Sequence, residues 1–214
     1  MDVAIAGGHG RIALRLAPLL VERGDRVRAL IRNPDHAAEV RAGGAEPVIC
    51  DLEGADEKQI AAAISGADAV VFAAGAGPGS GPERKFTVDH GAAVKLIAAA
   101  KLAGVPRYEM ISAISADPEH PGDAVFDVYI RAKGQADAEL AASGLRHTII
   151  RPGKLTDDEP TGRVTLGPSV PYGEITRADV AALVAASLHS DAGEDRNFAV
   201  VNGPQPIAEA LGAG

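Results

Sequence analysis

Asp2-Val3-Ala4-Ile5-Ala6-Gly7-Gly8-His9-Gly10-Arg11-Ile12-Ala13 runs from an apolar strand straight into a glycine-rich turn. Two overlapping patterns fit the turn, Gly7-x-x-Gly10-x-x-Ala13 and Gly8-x-Gly10-x-x-Ala13. Either one sets a dinucleotide pyrophosphate against a helix N-terminus. Small residues there allow a tight turn, a close approach of backbone to phosphate and close packing of helix on strand. Amides at the start of the helix donate to the phosphates, and the helix dipole adds a favourable field. Such a motif is weakly specific in a chain with 25 glycines. Its weight comes from what surrounds it.

Outward from that turn, strand and helix alternate. The pattern predicts strands at 2–6, 26–31, 46–50, 68–73, 107–112, 146–151 and 197–201, and helices at 10–23, 35–42, 56–64, 83–103, 124–143 and 177–189. Gly24, Gly43-Gly44, Gly66, Gly104 and Gly144 fall where helices should stop, the place that favours a left-handed residue. The strands are short, rich in Val, Ile and Ala, and apolar on both faces, as in a sheet covered on each side. Strict alternation with right-handed crossovers then predicts a single Rossmann-like domain spanning 1–214, a doubly wound parallel sheet in three αβα layers. Residues 74–82 are too rich in Gly and Pro for regular structure, and 152–176 is irregular in pattern. Both follow strand ends on the side where ligands bind in open α/β sheets. Small substrate-side elements are expected within 152–176 and 202–214.

Composition narrows the classes of function. Hydrophobic residues make up 46% of the chain and charged residues 23%, an ordinary globular balance. Aromatics at 3% argue against stacking platforms for single-stranded nucleic acid, and a net charge of −8 argues against a general phosphate-backbone binder. No nucleic-acid partner and no membrane association are expected, since no uncharged apolar run approaches membrane-spanning length. The single Cys50 excludes an intramolecular disulfide and points to a reducing, cytoplasmic setting. The six histidines show no ligand spacing, so no metal site is expected.

Two features carry chemistry. Tyr129 and Lys133 lie four residues apart in an expected helix, on one face and a turn apart. A lysine ammonium beside a phenol favours the phenolate, which suits the tyrosine to proton transfer near neutral pH. Cofactor choice is read at the end of the second strand, where NAD-preferring folds present a carboxylate to the ribose hydroxyls. Here Arg32 and Asn33 stand there. A guanidinium matches a ribose phosphate in charge and fork geometry. With Arg11 as a second cation, NADP(H) is expected over NAD(H).

The glycine turn, Asp51, Ala73-Ala74-Gly75 and Tyr129-Ile-Arg-Ala-Lys133 occur in the order of the short-chain dehydrogenase/reductase superfamily, which the chain resembles. The closer likeness is to atypical NAD(P)H-binding members of the biliverdin-reductase-B, flavin-reductase and NmrA-like kind. It is carried by Asp89-His-Gly-Ala-Ala-Val-Lys-Leu-Ile-Ala-Ala-Ala-Lys-Leu-Ala-Gly-Val105, Ser143-Gly-Leu-Arg-His-Thr-Ile-Ile-Arg-Pro-Gly153 and Ile175-Thr-Arg-Ala-Asp-Val-Ala181. The resemblance implies that Tyr129 is the acid/base, and that Lys133 lowers its pKa and holds the nicotinamide ribose. It places Gly7, Gly10 and the amides around Arg11-Ile12 at the pyrophosphate, and Asp51 and Leu52 beside the adenine. It sets Ala73, Ala74 and Gly75 along the adenosine ribose, and Pro152 facing the nicotinamide. A serine normally ends the fifth strand, often the second of a pair. This chain has Ser112-Ala113-Ile114-Ser115, which leaves Ser112, or failing it Ser115, to touch the substrate oxygen.

The expected protein is thus an NADP(H)-dependent oxidoreductase passing hydride between nicotinamide and a small carbonyl, quinone-like or flavin-like substrate. The alternative is a non-catalytic NADP(H)-binding sensor of the NmrA-like type, which Ala113 favours and the Tyr129/Lys133 pair disfavours. A nucleotide-sugar epimerase relative with tightly held NAD is a third reading, weakened by Arg32 and by the short region after the sixth strand. The Ala-rich helices at 83–103 and 124–143 are the expected surface of a possible homodimer.

Overall fold

The structure, a computed structural model, describes residues 1–77, 79–190 and 196–212. Pro78 in the predicted 74–82 loop and residues 213–214 in the predicted 202–214 segment lie outside the described residues. The first half alternates as expected: β1 (Asp2–Ala6), α1 (Ala13–Glu22), β2 (Arg26–Ile31), a 3-10 turn (Pro34–His36) leading into α2 (Ala37–Ala42), β3 (Glu46–Ile49), α3 (Glu57–Ile64) and β4 (Ala69–Phe72). α1 starts three residues later than predicted because Gly10-Arg11-Ile12 belongs to the turn.

The predicted long helix at 83–103 is not one regular helix. It comprises α4 (Pro82–Arg84), a π-helical stretch (Lys85–Ala92) and α5 (Ala93–Ala103). After β5 (Arg107–Ile111) and α6 (Val125–Ala141) comes β6 (Arg146–Pro152). The 152–176 region, predicted irregular, instead contains three short strands: β7 (Lys154–Thr156), β8 (Arg163–Gly167) and β9 (Glu174–Thr176). Its Pro, Gly and Thr content marks the turns between them. α7 (Arg177–Leu188), β10 (Arg196–Asn202), β11 (Gln205–Pro206) and α8 (Ile207–Gly212) follow.

Among the described residues, nine strands form one sheet in the order β11-β8-β10-β6-β5-β4-β1-β2-β3. From β3 across to β10 every pairing is parallel, as a βα alternation requires. The parallel prediction needs correction at one edge. β8 runs antiparallel to both β10 and β11, because no helix between the end of β6 at Pro152 and the start of β8 at Arg163 carries the chain back across the sheet, so β8 runs opposite to β6 and β10.

Strand alternation sends side chains into two cores. Val3 and Ile5 of β1 join Leu16 and Leu20 of α1 and Leu183 and Val184 of α7, whereas Ala4 and Ala6 join Ile60 of α3, Leu96 of α5 and Leu140 of α6. Each fully buried Leu or Ile contributes about 1.5–3 kcal/mol relative to exposure. Several polar groups are built into this frame. Asp56 caps α3 by accepting from Gln59 N at 2.8 Å, and the Gln59 side chain accepts from Asp56 N at 2.9 Å. Asp179, fully buried in the first turn of α7, accepts from Gly162 N at 2.7 Å, Thr161 N at 3.0 Å and Asn202 Nδ2 at 2.7 Å. That binds the loop before β8 to the end of β10, a structural use for the Ile175–Ala181 phrase. No helix among the described residues is long and apolar enough to cross a membrane.

Candidate cofactor cleft and active site

Strand order reverses between β1 and β4, since β2 and β3 continue one way and β5, β6 and β10 the other. Ligands of open α/β sheets bind in the crevice at the carboxyl ends on either side of such a reversal. A cleft of about 360 Å³ opens there. It brings together nine of the residues singled out from sequence: Gly7 and Gly10, Arg32 and Asn33, Asp51 and Leu52, and Ala73, Ala74 and Gly75.

The glycines divide by role. A Cβ on Gly7 (φ +79°) would lie 2.6 Å from Ala74 Cα, and one on Gly8 would lie 2.5 Å from Ala29 Cβ. Both therefore let the turn press against β4's loop and β2. Gly10 instead keeps the cleft floor bare, since a Cβ there would meet Gly7 O at 3.0 Å and Ala73 O at 3.4 Å. Leu14 N donates to Gly10 O at 2.9 Å, opening the helical ladder of α1. The first amides of any α-helix lack intrahelical acceptors and attract an anion. A floor without side chains, a helix start and nearby guanidinium groups fit a dinucleotide phosphate.

Four expected cofactor residues do not line this cleft. Arg11 is turned to the 152–161 segment, where its Nη2 pairs with Asp157 Oδ2 at 2.7 Å. Arg15 at 3.3 Å and Arg177 at 2.8 Å engage the same carboxylate, so three cations converge on Asp157 beside the glycine turn. Ile12 is buried in the core beneath the turn. Pro152 is buried at the end of β6, its carbonyl accepting from Ile114 N at 2.9 Å. Lys133 lies deeper, under the end of β5.

Asp51 and Asn33 shape the rim. Asp51 Oδ1 accepts from Glu53 N at 3.1 Å, and Asn33 Oδ1 accepts from Asp35 N at 3.0 Å, each closing a local turn. Arg32 is 58% exposed and donates to Glu53 Oε2 at 3.3 Å. Sequence reading missed Glu53, Arg84 and His36 at this end; the ring of His36 stacks on that of His9 with centroids 3.6 Å apart.

A second, more open pocket of about 560 Å³ is lined by Gly79, Ser80, Gly81, Lys85, Val125, Phe126 and Tyr129. Phe126 stacks near Tyr129 with centroids 6.1 Å apart, and Lys85 Nζ sits 5.5 Å from the Tyr129 ring centroid. Lys133, one turn along α6, is almost wholly buried. Its Nζ donates to Ile111 O at 3.2 Å and lies 3.5 Å from Asp89 Oδ1. Asp89 also accepts from Ala76 N at 3.3 Å, tying the lysine to the loop after β4. The wider π turn carries this carboxylate inward, a use of π geometry common near functional sites.

The expectation that Lys133 brings the Tyr129 phenol down toward neutrality is not met. Burial pushes the Tyr129 pKa up, and the negative charges of Asp89 and Asp137 add to the rise, against a smaller downward pull from Lys133. Ser112 is buried on the α6 side, close enough to Asp137 to favour that carboxylate, although its Oγ makes no well-formed hydrogen bond. Asp137 is held by Arg151 Nε at 2.8 Å, yet burial keeps its pKa raised. Ser115 is exposed on the loop beyond. That loop rests directly on α6 at Gly134, where a Cβ would lie 2.2 Å from Pro118 N. Neither serine lines the Tyr129 pocket.

Comparison with known proteins places this architecture. A family model described as NAD(P)H-binding matches residues 7–191, and the chain belongs to that family. An uncharacterized sugar epimerase, YhfK, of Bacillus subtilis is 42% identical over 99% of both chains. A solved Bacillus halodurans structure, provisionally named an NAD-dependent epimerase/dehydratase, superposes with a TM-score of 0.93 at 35% identity, covering 100% of both chains. The oxidoreductase ylbE from Lactococcus lactis gives 0.87 at 31% identity, covering 100% of this chain and 96% of its own. The Rossmann-like architecture and the likeness to atypical short-chain dehydrogenase/reductase proteins stand on these findings.

Proposed function

We propose that this protein is an NADP(H)-dependent oxidoreductase acting on a small carbonyl, quinone-like or flavin-like substrate. When bound, the nicotinamide supplies or accepts the hydride. The turn at Gly7–Gly10 and the start of α1 receive the pyrophosphate, Arg32 the ribose phosphate, and Asp51 with Leu52 the adenine. Ala73, Ala74 and Gly75 flank the adenosine ribose without side chains that would obstruct it.

The observation that carries the reading is Tyr129 on the wall of an open apolar pocket, one helical turn from a buried lysine. Because burial raises its pKa, the phenol stays protonated at neutral pH and is ready to donate to a substrate oxygen. That state suits reduction of a carbonyl or quinone better than oxidation of an alcohol. Lys133 sustains a positive charge beneath the pocket, held in place by Ile111 O and Asp89.

Tyr129→Phe tests the assignment. NADPH consumption is followed with aldehyde, quinone and flavin acceptors, alongside calorimetric titration with NADPH. A fall in kcat of about a hundredfold or more with an unchanged Kd is the expected result. Equal turnover by both proteins would remove the tyrosine from the chemistry. Binding of NADPH with no turnover on any acceptor would favour a non-catalytic NADP(H)-binding regulator. That second reading draws on Ala113 and on Ser112 facing Asp137 rather than the pocket. Tightly held NAD in the purified protein would instead support an epimerase-type reaction, as the names of two relatives suggest.

A further inference from the structure

The adenosine end of the cleft holds a cluster that the glycine turn and β2 do not account for. Glu53 Oε2 accepts from Arg84 Nη2 at 2.9 Å and Nε at 3.3 Å, and from Arg32 Nη1 at 3.3 Å. Its other oxygen accepts from Thr87 Oγ1 at 2.9 Å. The backbone beneath is fixed, because Lys95 Nζ donates to the carbonyls of Glu53 at 2.7 Å and Ala55 at 3.0 Å. Arg32 and Arg84 reach this point from opposite walls, one from the end of β2 and the other from the segment after β4. Two guanidinium groups thus face the cleft across the Glu53 carboxylate, with Asp51 a second carboxylate on the same lining. Both arginines line the cleft and are substantially exposed, so an incoming anion can reach them.

We propose that Arg84 is a second residue that selects the phosphorylated cofactor, acting with Arg32 on the ribose 2′-phosphate, and that Glu53 is the internal carboxylate which that phosphate displaces. The inference rests on the NADP(H) reading above. A phosphate dianion offers the paired guanidiniums more acceptor oxygens and more charge than the carboxylate does, so the exchange favours the phosphate. A ribose hydroxyl has no charge with which to separate the arginines from Glu53, so NAD(H) leaves the cluster closed. The hydrogen bonds to Glu53 hold its carboxyl below the usual range despite burial, so it remains a competing anion across the physiological range.

The test is calorimetric titration of cofactor-stripped wild type, Arg84→Ala, Arg32→Ala and Glu53→Gln with NADPH and NADH. Arg84→Ala is expected to weaken NADPH by tenfold or more and to leave NADH within twofold. Glu53→Gln is expected to tighten NADPH several-fold, since its amide competes poorly for guanidinium. Circular dichroism melting of each variant shows whether the fold is intact. A wild type that binds NADH as tightly as NADPH would overturn the underlying NADP(H) reading. A wild type that prefers NADPH, with the preference kept in Arg84→Ala, would overturn the role of Arg84 alone. Weaker NADPH binding by Glu53→Gln would overturn displacement and make Glu53 a support for the arginines.

Discussion

Glu109 is a titratable group buried inside β5, and it ties the stability of the fold to pH. Its side chain is fully buried on the α7 side of the sheet, accepting from Ser187 Oγ at 3.0 Å, with Arg107 Nη2 at 3.3 Å from Oε1. Oε2 has no hydrogen-bond partner among the described residues. Burial dominates, and the carboxyl pKa rises from 4.5 to about 7 against the pull of Arg107 and Ser187. Between those two values the folded chain holds a proton that the unfolded chain has lost. Protonation therefore stabilises the fold fully below about 4.5, and the contribution disappears as pH rises through about 7. A difference of roughly 2.5 pK units corresponds to about 3 kcal/mol. Glu109→Gln keeps the shape and removes the titration. Arg107 keeps its bonds to the carbonyls of Ser187, Leu188 and Ser190, so the cost of losing its carboxylate partner is a constant offset. Urea unfolding of both proteins at half-unit steps from pH 4.5 to 8.5 reads the difference. The stability of wild type relative to Glu109→Gln should fall by about 3 kcal/mol across that range. Parallel curves would refute the reasoning, because they would mean that Glu109 ionises in the fold as easily as in the unfolded chain.

Asp89→Asn removes a negative charge that helps raise the Tyr129 pKa. In the pH–rate profile of the proposed reduction, the alkaline limb, where the phenol loses its proton, should move to lower pH, and an unmoved limb would separate Asp89 from the tyrosine. Asp179→Ala strips the acceptors from Thr161 N, Gly162 N and Asn202 Nδ2 inside a fully buried site. It should cost about 2–4 kcal/mol in denaturant unfolding at pH 7. The Asp179 pKa is lowered in the fold by those same hydrogen bonds. The penalty should therefore shrink as acid protonates the wild-type carboxylate, and a loss below about 0.5 kcal/mol would show the loop is held otherwise.

The parts of this molecule that could be read from sequence are those fixed by local rules. The glycine turn, the apolar strands and the helix-stopping glycines each follow from backbone sterics within a few residues, and together they imply the order of a parallel sheet. In the cleft, Gly7, Gly10, Arg32 and Asn33 were legible for the same reason, since topology brings those strand ends together, whereas Asp51, Leu52 and Ala73–Gly75 followed from the resemblance to a known family. Strands β7 to β9 were not, because each is only three to five residues long and takes its pairing from distant partners. Asp89 was hidden differently. In sequence it stands only as the first residue of a resemblance phrase, with no partner, and the π turn and the loop after β4 make it a buried neighbour of Lys133.

That buried neighbour changes what the Tyr129/Lys133 spacing means. Four residues along a helix fix that two side chains share a face, but not the charge around them. An ammonium beside a well-solvated phenol would have favoured the phenolate. With Asp89 at 3.5 Å from Lys133 and Asp137 further along the same helix, the field at the phenol is set by one cation and two carboxyl groups in a poorly solvated place. On the proposed reductase reading, burial together with these carboxyl groups keeps the phenol protonated, as a donor requires. In the proposed reduction, the donor role of Tyr129 therefore rests on its burial first and on the two aspartates second, rather than on the motif alone.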